Sequence, residues 1–93
     1  MNIAIDYDGT IDQDAEYWRD CIQRGEARGH RYFVVTARHR DDEDREIIAN
    51  IVGLPEARVL FTNRSAKRWF CEQLGLRIDV WIDDDPACVG NGK

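Results

Sequence analysis

The chain has no CxxC pair, no zinc-type ligand spacing and no long apolar run. Its cysteines, Cys21, Cys71 and Cys88, are odd in number, so they do not form a closed disulfide framework and read as reduced thiols in a cytosolic protein. The two histidines, His30 and His39, sit beside arginines without ligand spacing, and neither is assigned to a metal. No charged leader or apolar segment precedes the first expected strand, which argues against secretion and against a membrane span. An excess of basic charge is also missing. The formal net charge is −5, which gives no support for broad, nonspecific nucleic-acid binding. A local basic strip does exist around Arg58, Arg64, Lys67 and Arg68. Repeats, linkers and low-complexity segments are absent, and 93 residues leave no room for a second core. The expectation is therefore a single domain over residues 1–93, cytoplasmic and independent of membranes.

What the chain does have lies at its two ends. It opens with Ile3-Ala4-Ile5-Asp6-Tyr7-Asp8-Gly9-Thr10 and closes with Val80-Trp81-Ile82-Asp83-Asp84-Asp85-Pro86. Each is a short apolar run that stops abruptly in carboxylates. Runs of this length read as buried parallel strands, so the acids emerge at the strands' C-terminal ends, where open α/β sheets bind ligands. Two such strands side by side would gather four or five acids. That cluster is unfavourable unless a cation sits in it or the acids change their pKa values. Gly9 permits the backbone that lets a loop aim both Asp6 and Asp8 at one site. The competing reading, a turn or helix-cap role for these acids, rests on Asp-Gly being a common turn pair.

Between the ends, strand and helix patterns alternate. Strands are expected over residues 2–6, 31–36, 58–61 and 78–82. A first helix, capped by Asp12 or Asp14, carries Ala15, Trp18, Cys21 and Ile22 and ends at Gly25 and Gly29. A second, capped by Asp41 or Asp42, carries Ile47, Ile48, Ile51 and Val52 and stops at Gly53 and Pro55. A third, capped by Ser65, carries Trp69, Phe70 and Leu74 and closes at Gly75. Trp18, Trp69 and Trp81 read as core residues, Asp85 as a solvated or capping acid. Helical crossovers imply a three-layer α/β domain with a parallel sheet and right-handed connections. The acids suggest the order 4-1-2-3, because only neighbouring strands one and four let them cooperate.

Four motifs, in order along nearly the whole chain, resemble those of the haloacid dehalogenase superfamily of phosphohydrolases. Asp6 to Thr10 looks like its DxDGT, and Phe33-Val34-Val35-Thr36 like its strand ending in Thr or Ser. Lys67 matches its lone lysine and Asp83-Asp84 its paired acids. The wording of Thr36-Ala37-Arg38 and Ile82-Asp83-Asp84-Asp85-Pro86 is similar to the deoxyribonucleotidase branch. The resemblance implies a Rossmann-like core and a phosphatase with Asp6 as nucleophile and Asp8 as general acid and base. It implies Mg²⁺ held by Asp6, the Asp8 carbonyl and Asp83, with Asp84 behind or in place of Asp83. It also implies Thr36 and Lys67 on the phosphoryl group, and Arg38 on the substrate. Arg64 or Arg68 could do the work of Lys67 one turn away.

The chain departs from that pattern in being reduced. No segment is long enough for a flap or cap domain, so the site is expected to be open, suited to a nucleotide or a polynucleotide terminus. The fifth strand is missing as well, which leaves strand four as an edge for the tail (residues 87–93) to cover or for a homodimer to form on. A metal-binding module with weak turnover, acting with a partner protein, would carry the same residues. A phosphoacceptor receiver domain is disfavoured, because strand three ends Phe61-Thr62-Asn63 without an Asp.

Overall fold

The computed structural model describes residues 1–90. Its strands form where apolar residues can be buried on both sides. They are β1 (Asn2–Ile5), β2 (Arg31–Thr36), β3 (Val59–Phe61) and β4 (Val80–Ile82), interleaved with α1 (Ala15–Ala27), α2 (Asp42–Val52), α3 (Lys67–Gln73) and α4 (Pro86–Val89). All pairings are parallel, with Ile3 opposite Tyr32 and Val80, and Val34 opposite Val59. The sheet runs β3-β2-β1-β4, the same neighbour relations that 4-1-2-3 describes when counted from β4. The first and last strands therefore lie side by side in an α/β, Rossmann-like layout.

Period-2 alternation divides the core. Ile3, Ile5, Tyr32, Val34, Val59 and Phe61 face Ile22 of α1 and Ile48, Ala49 and Val52 of α2. Ala4, Phe33 and Val35 face the other way, onto Cys71 of α3 with Leu60, Leu76, Ile78 and Trp81 around them. Helices thus cover both faces. No described helix is long and apolar enough to cross a membrane.

Several boundaries differ from those expected, each for a local reason. Asp14, not Asp12, caps α1 by accepting the Tyr17 N–H. Asp12 instead accepts the Gly9 N–H at 2.8 Å and braces the loop after β1. Gly25 does not end α1; it lies inside the helix, where a Cβ would collide with the Tyr32 ring, so it permits close helix–strand packing. Asp41 caps α2 by accepting from Glu43 and Asp44, and Gly53 closes it with a left-handed backbone. Ser65 does not cap α3. Ala66 holds that position, and the Ser65 carbonyl accepts the Thr62 hydroxyl. Ile47 and Leu74, expected on apolar helix faces, are exposed. Trp18 and Trp81 pack only partly buried against the core.

The short helix α4 was not anticipated. Asp85 caps it through the Ala87 N–H, Pro86 opens it, and Val89 is buried. β4 is the sheet edge and Val80 is exposed. The expected cover of that edge by residues 87–93 falls in part on 91–93, outside the described residues.

Candidate functional site

The site sits where β1 and β4 end together. Asp6, just past β1, donates its N–H to the Ile82 carbonyl at 2.9 Å, which extends the pairing by one residue and sets Asp6 next to Asp83. Lys67 is the first residue of α3 and is only 1% exposed. Its Nζ donates to Asp6 Oδ1 at 2.8 Å and to Asp83 Oδ2 at 2.6 Å. A buried ammonium between two buried carboxylates is tolerable only because each charge has a close opposite partner. The other Asp83 oxygen accepts the Asp85 N–H at 2.9 Å, so that side chain is fixed at both ends.

One carboxylate oxygen from each of Asp6, Asp83 and Asp84 lies within 4.8 Å of the others. Three hard oxygen donors at that spacing suit a hard divalent cation such as Mg²⁺ or Ca²⁺. Both members of the Asp83-Asp84 pair reach the cluster. Gly9 makes room for Asp84: its φ is +85°, and a Cβ there would overlap the Asp84 carboxylate. The glycine in the first motif thus serves the acids in the last.

Asp8 is placed differently from the expectation. Its carboxylate is not in the three-acid group. It is gripped by Arg38 in a two-pronged pair, Nε to Oδ2 at 2.8 Å and Nη2 to Oδ1 at 2.7 Å. That fork holds the Asp8 carboxyl below the usual carboxylate range, against a smaller opposing effect of burial. As a metal ligand Asp8 is left with its main-chain carbonyl, the atom the resemblance implied. Arg38 also approaches Asp44 at 3.5 Å and lies over the Tyr7 ring, so a motif-two residue joins the loop after β1 to α2.

Thr36 is fully buried at the end of β2, and its Oγ1 accepts the Arg38 N–H at 3.3 Å. Thr62, equally buried after β3, was not singled out; its hydroxyl shapes the turn into α3. The signal was there in the repeated pattern of an apolar strand ending in Thr. Arg68, the alternative to Lys67, points instead at the Gly90 carbonyl and the Trp81 ring. Asp85 is a cap, and His30 Nδ1 accepts from the N-terminal ammonium at 3.0 Å.

The electrostatics are those of a cluster that could hold a cation. Burial pushes the Asp6 carboxyl up to about 6; Lys67 works against this, while Asp84, placed to share a proton, and Asp83 add to it. Burial disfavours the charged Lys67, but its two carboxylate partners outweigh that and hold it above the ordinary lysine value. Because the Asp6 value is 3.8 without these surroundings, protonation of Asp6 favours the folded, cation-free chain. That stabilisation is complete below the unfolded value and is lost as pH rises through about 6. Asp8, shifted downward, has the opposite sense, and its contribution is lost only in stronger acid. Cation-free protein should therefore lose on the order of 1 kcal/mol between pH 5 and pH 7.5 in urea melts. Saturating Mg²⁺ should remove that slope. A flat profile without the cation would contradict the Asp6 shift.

No family model, curated protein or solved structure matches the chain.

Proposed function

We propose that the chain is a Mg²⁺-dependent phosphomonoester hydrolase acting through an aspartyl-phosphate on Asp6, a minimal and capless relative of the haloacid dehalogenase superfamily. One observation carries this reading: Asp6 is held by buried Lys67 beside Asp83 and Asp84, at the C-terminal ends of adjacent parallel strands. Asp6, Asp83, Asp84 and the Asp8 carbonyl would hold the cation, which when bound would neutralise charge on the phosphoryl oxygens. The three-carboxylate donor set fits such an ion.

The remaining chemistry belongs to the chain. An Asp6 carboxylate oxygen attacks phosphorus, and the bond to the leaving oxygen breaks. Lys67, fixed by α3, stabilises the negative charge on the transferring group. Thr36 lies at the end of β2, where its hydroxyl can bind a phosphoryl oxygen. Asp8 gives a proton to the leaving oxygen and then takes one from the water that hydrolyses the acyl phosphate, help worth roughly 10²–10⁴-fold. Asp8 is ionised while Arg38 grips it, so Arg38 must first release it and Asp8 must take up a proton from solvent before it can act as the acid; an incoming phosphate is the anion that competes for the guanidinium.

The nucleotidase-like wording supports a nucleotide substrate. Connections too short for a cap, the longest being residues 6–14, support a polynucleotide terminus. Exposed Val80 on the edge strand supports a homodimer through β4. A second reading, a metal-binding module with little turnover that acts with a partner, draws on the Arg38 clamp, which keeps Asp8 ionised. One experiment separates the two. Phenyl phosphate should be hydrolysed with Mg²⁺ present, and EDTA should abolish the activity. Cation binding without hydrolysis of any phosphate ester would leave the module.

A further inference from the structure

Next to the acids, the loops after β2 and β3 are joined into one rim. The Arg64 N–H donates to the Ala37 carbonyl at 2.9 Å, the Asn63 N–H to the Arg38 carbonyl at 3.2 Å, and Asn63 Oδ1 accepts the Arg40 N–H at 2.9 Å. Within this rim, two consecutive non-glycine residues have left-handed backbone, Asn63 at φ 52° and Arg64 at φ 71°. Such conformations cost energy in side-chain-bearing residues and persist only where the surroundings impose them. Here they place Arg64 on the wall of a cavity of about 560 Å³ between the rim and α4.

That wall is otherwise made of small residues, including Ala37, Ser65, Ala66 and Ala87. Ala37 follows Thr36 and Ala66 precedes Lys67, so the cavity adjoins the phosphoryl-binding residues. Arg64 differs from the arginines around it. Arg38 is paired with Asp8 and Asp44, Arg40 with Asp42, and Arg68 with the Gly90 carbonyl. The Arg64 guanidinium makes no hydrogen bond or ion pair among the described residues. A cation held by a strained, hydrogen-bonded loop, without a partner among the described residues, is ready for an anion from outside. Arg64 lies three positions before Lys67, a span of at most about 11 Å between their Cα atoms.

We infer that this cavity receives the organic part of the substrate and that Arg64 binds a second phosphate carried by it, so that the preferred substrate is a phosphomonoester with another phosphate close by. This rests on the phosphatase reading of the neighbouring acids. A nucleoside bisphosphate and the phosphorylated end of a polynucleotide share that chemistry.

The test compares kcat/KM for a nucleoside 3′,5′-bisphosphate and for a 5′-phosphorylated dinucleotide, each relative to phenyl phosphate. In Arg64→Gln the ratio should fall about 10- to 100-fold for whichever compound is the substrate type, as expected for loss of a charged hydrogen bond. Arg64→Lys should restore part of it. Arg64→Gly, which suits the left-handed backbone, should reproduce the loss and so exclude misfolding as its cause. Ratios that do not change in Arg64→Gln, for both compounds, would overturn the inference. Calorimetry of the same two compounds on Asp6→Asn protein separates the two layers of argument. Arg64-dependent binding by the variant, together with no hydrolysis of any phosphate ester by wild type, upholds the subsite and removes the phosphatase, whereas wild-type hydrolysis without Arg64 dependence does the reverse.

Discussion

Asp6→Asn should leave a folded protein with at least about 10⁴-fold less phosphatase activity, the scale seen when an enzyme loses its nucleophile. The fold should survive because the amide has the carboxylate's shape and burial already disfavours charge at this position. Lys67 keeps Asp83 as its partner. What disappears is the carboxylate that Lys67 holds at the end of β1 and that is proposed to attack phosphorus. Steady-state hydrolysis of phenyl phosphate measures the loss, and acid quenching with labelled substrate tests for the acyl phosphate. Wild type should retain label and the variant none. Activity within tenfold of wild type would take the nucleophile's role away from Asp6.

Lys67→Met should have the largest effect on stability. The thioether side chain fills similar space but leaves Asp6 and Asp83 facing each other with no cation between them. Breaking a buried ion pair from one side costs about 3–5 kcal/mol, a large share of the roughly 5–14 kcal/mol expected for a domain of this size. A divalent cation can replace the missing charge from the opposite side of the cluster. The urea midpoint of the variant should therefore rise steeply with Mg²⁺, more than that of wild type. Turnover should still fall by about 10²–10³-fold if, as proposed, the Lys67 charge meets the phosphoryl oxygens. A loss of under 1 kcal/mol without the cation would mean that Lys67 is not the keystone of the acid cluster.

The strand pattern, the parallel sheet and the meeting of Asp6 with Asp83 and Asp84 were legible in the sequence because they follow from short-range rules. An apolar run that ends in acids has few places to go, and the two acid clusters can cooperate only on adjacent strands. Lys67 was legible only from its position in an ordered set; nothing in Ala66-Lys67-Arg68 itself distinguishes a buried ammonium from a solvated one. Other features were not legible because they depend on distant atoms. The Asp8–Arg38 fork joins residues thirty positions apart, and each taken singly reads as a surface charge. Gly25 looked like a helix stop, since its reason, the Tyr32 ring, belongs to the next element. Ser65 is the usual capping residue type, yet a hydrogen bond from Thr62 ties up its carbonyl and shifts the helix start by one residue. Arg64 gave no local hint of its left-handed backbone, which is imposed by main-chain bonds to Ala37 and Arg38.

The pairing of Ile3 with Val80 also governs how the molecule is made. β1 leaves the ribosome first, but its second neighbour is synthesised only after nearly all the other elements. Until then one margin of the sheet's central strand, formed by Ile3, Ala4 and Ile5, stays open, and such margins recruit other chains. Premature termination before Val80 would thus yield a sticky, half-zipped fragment, not a slightly shorter version of the same fold.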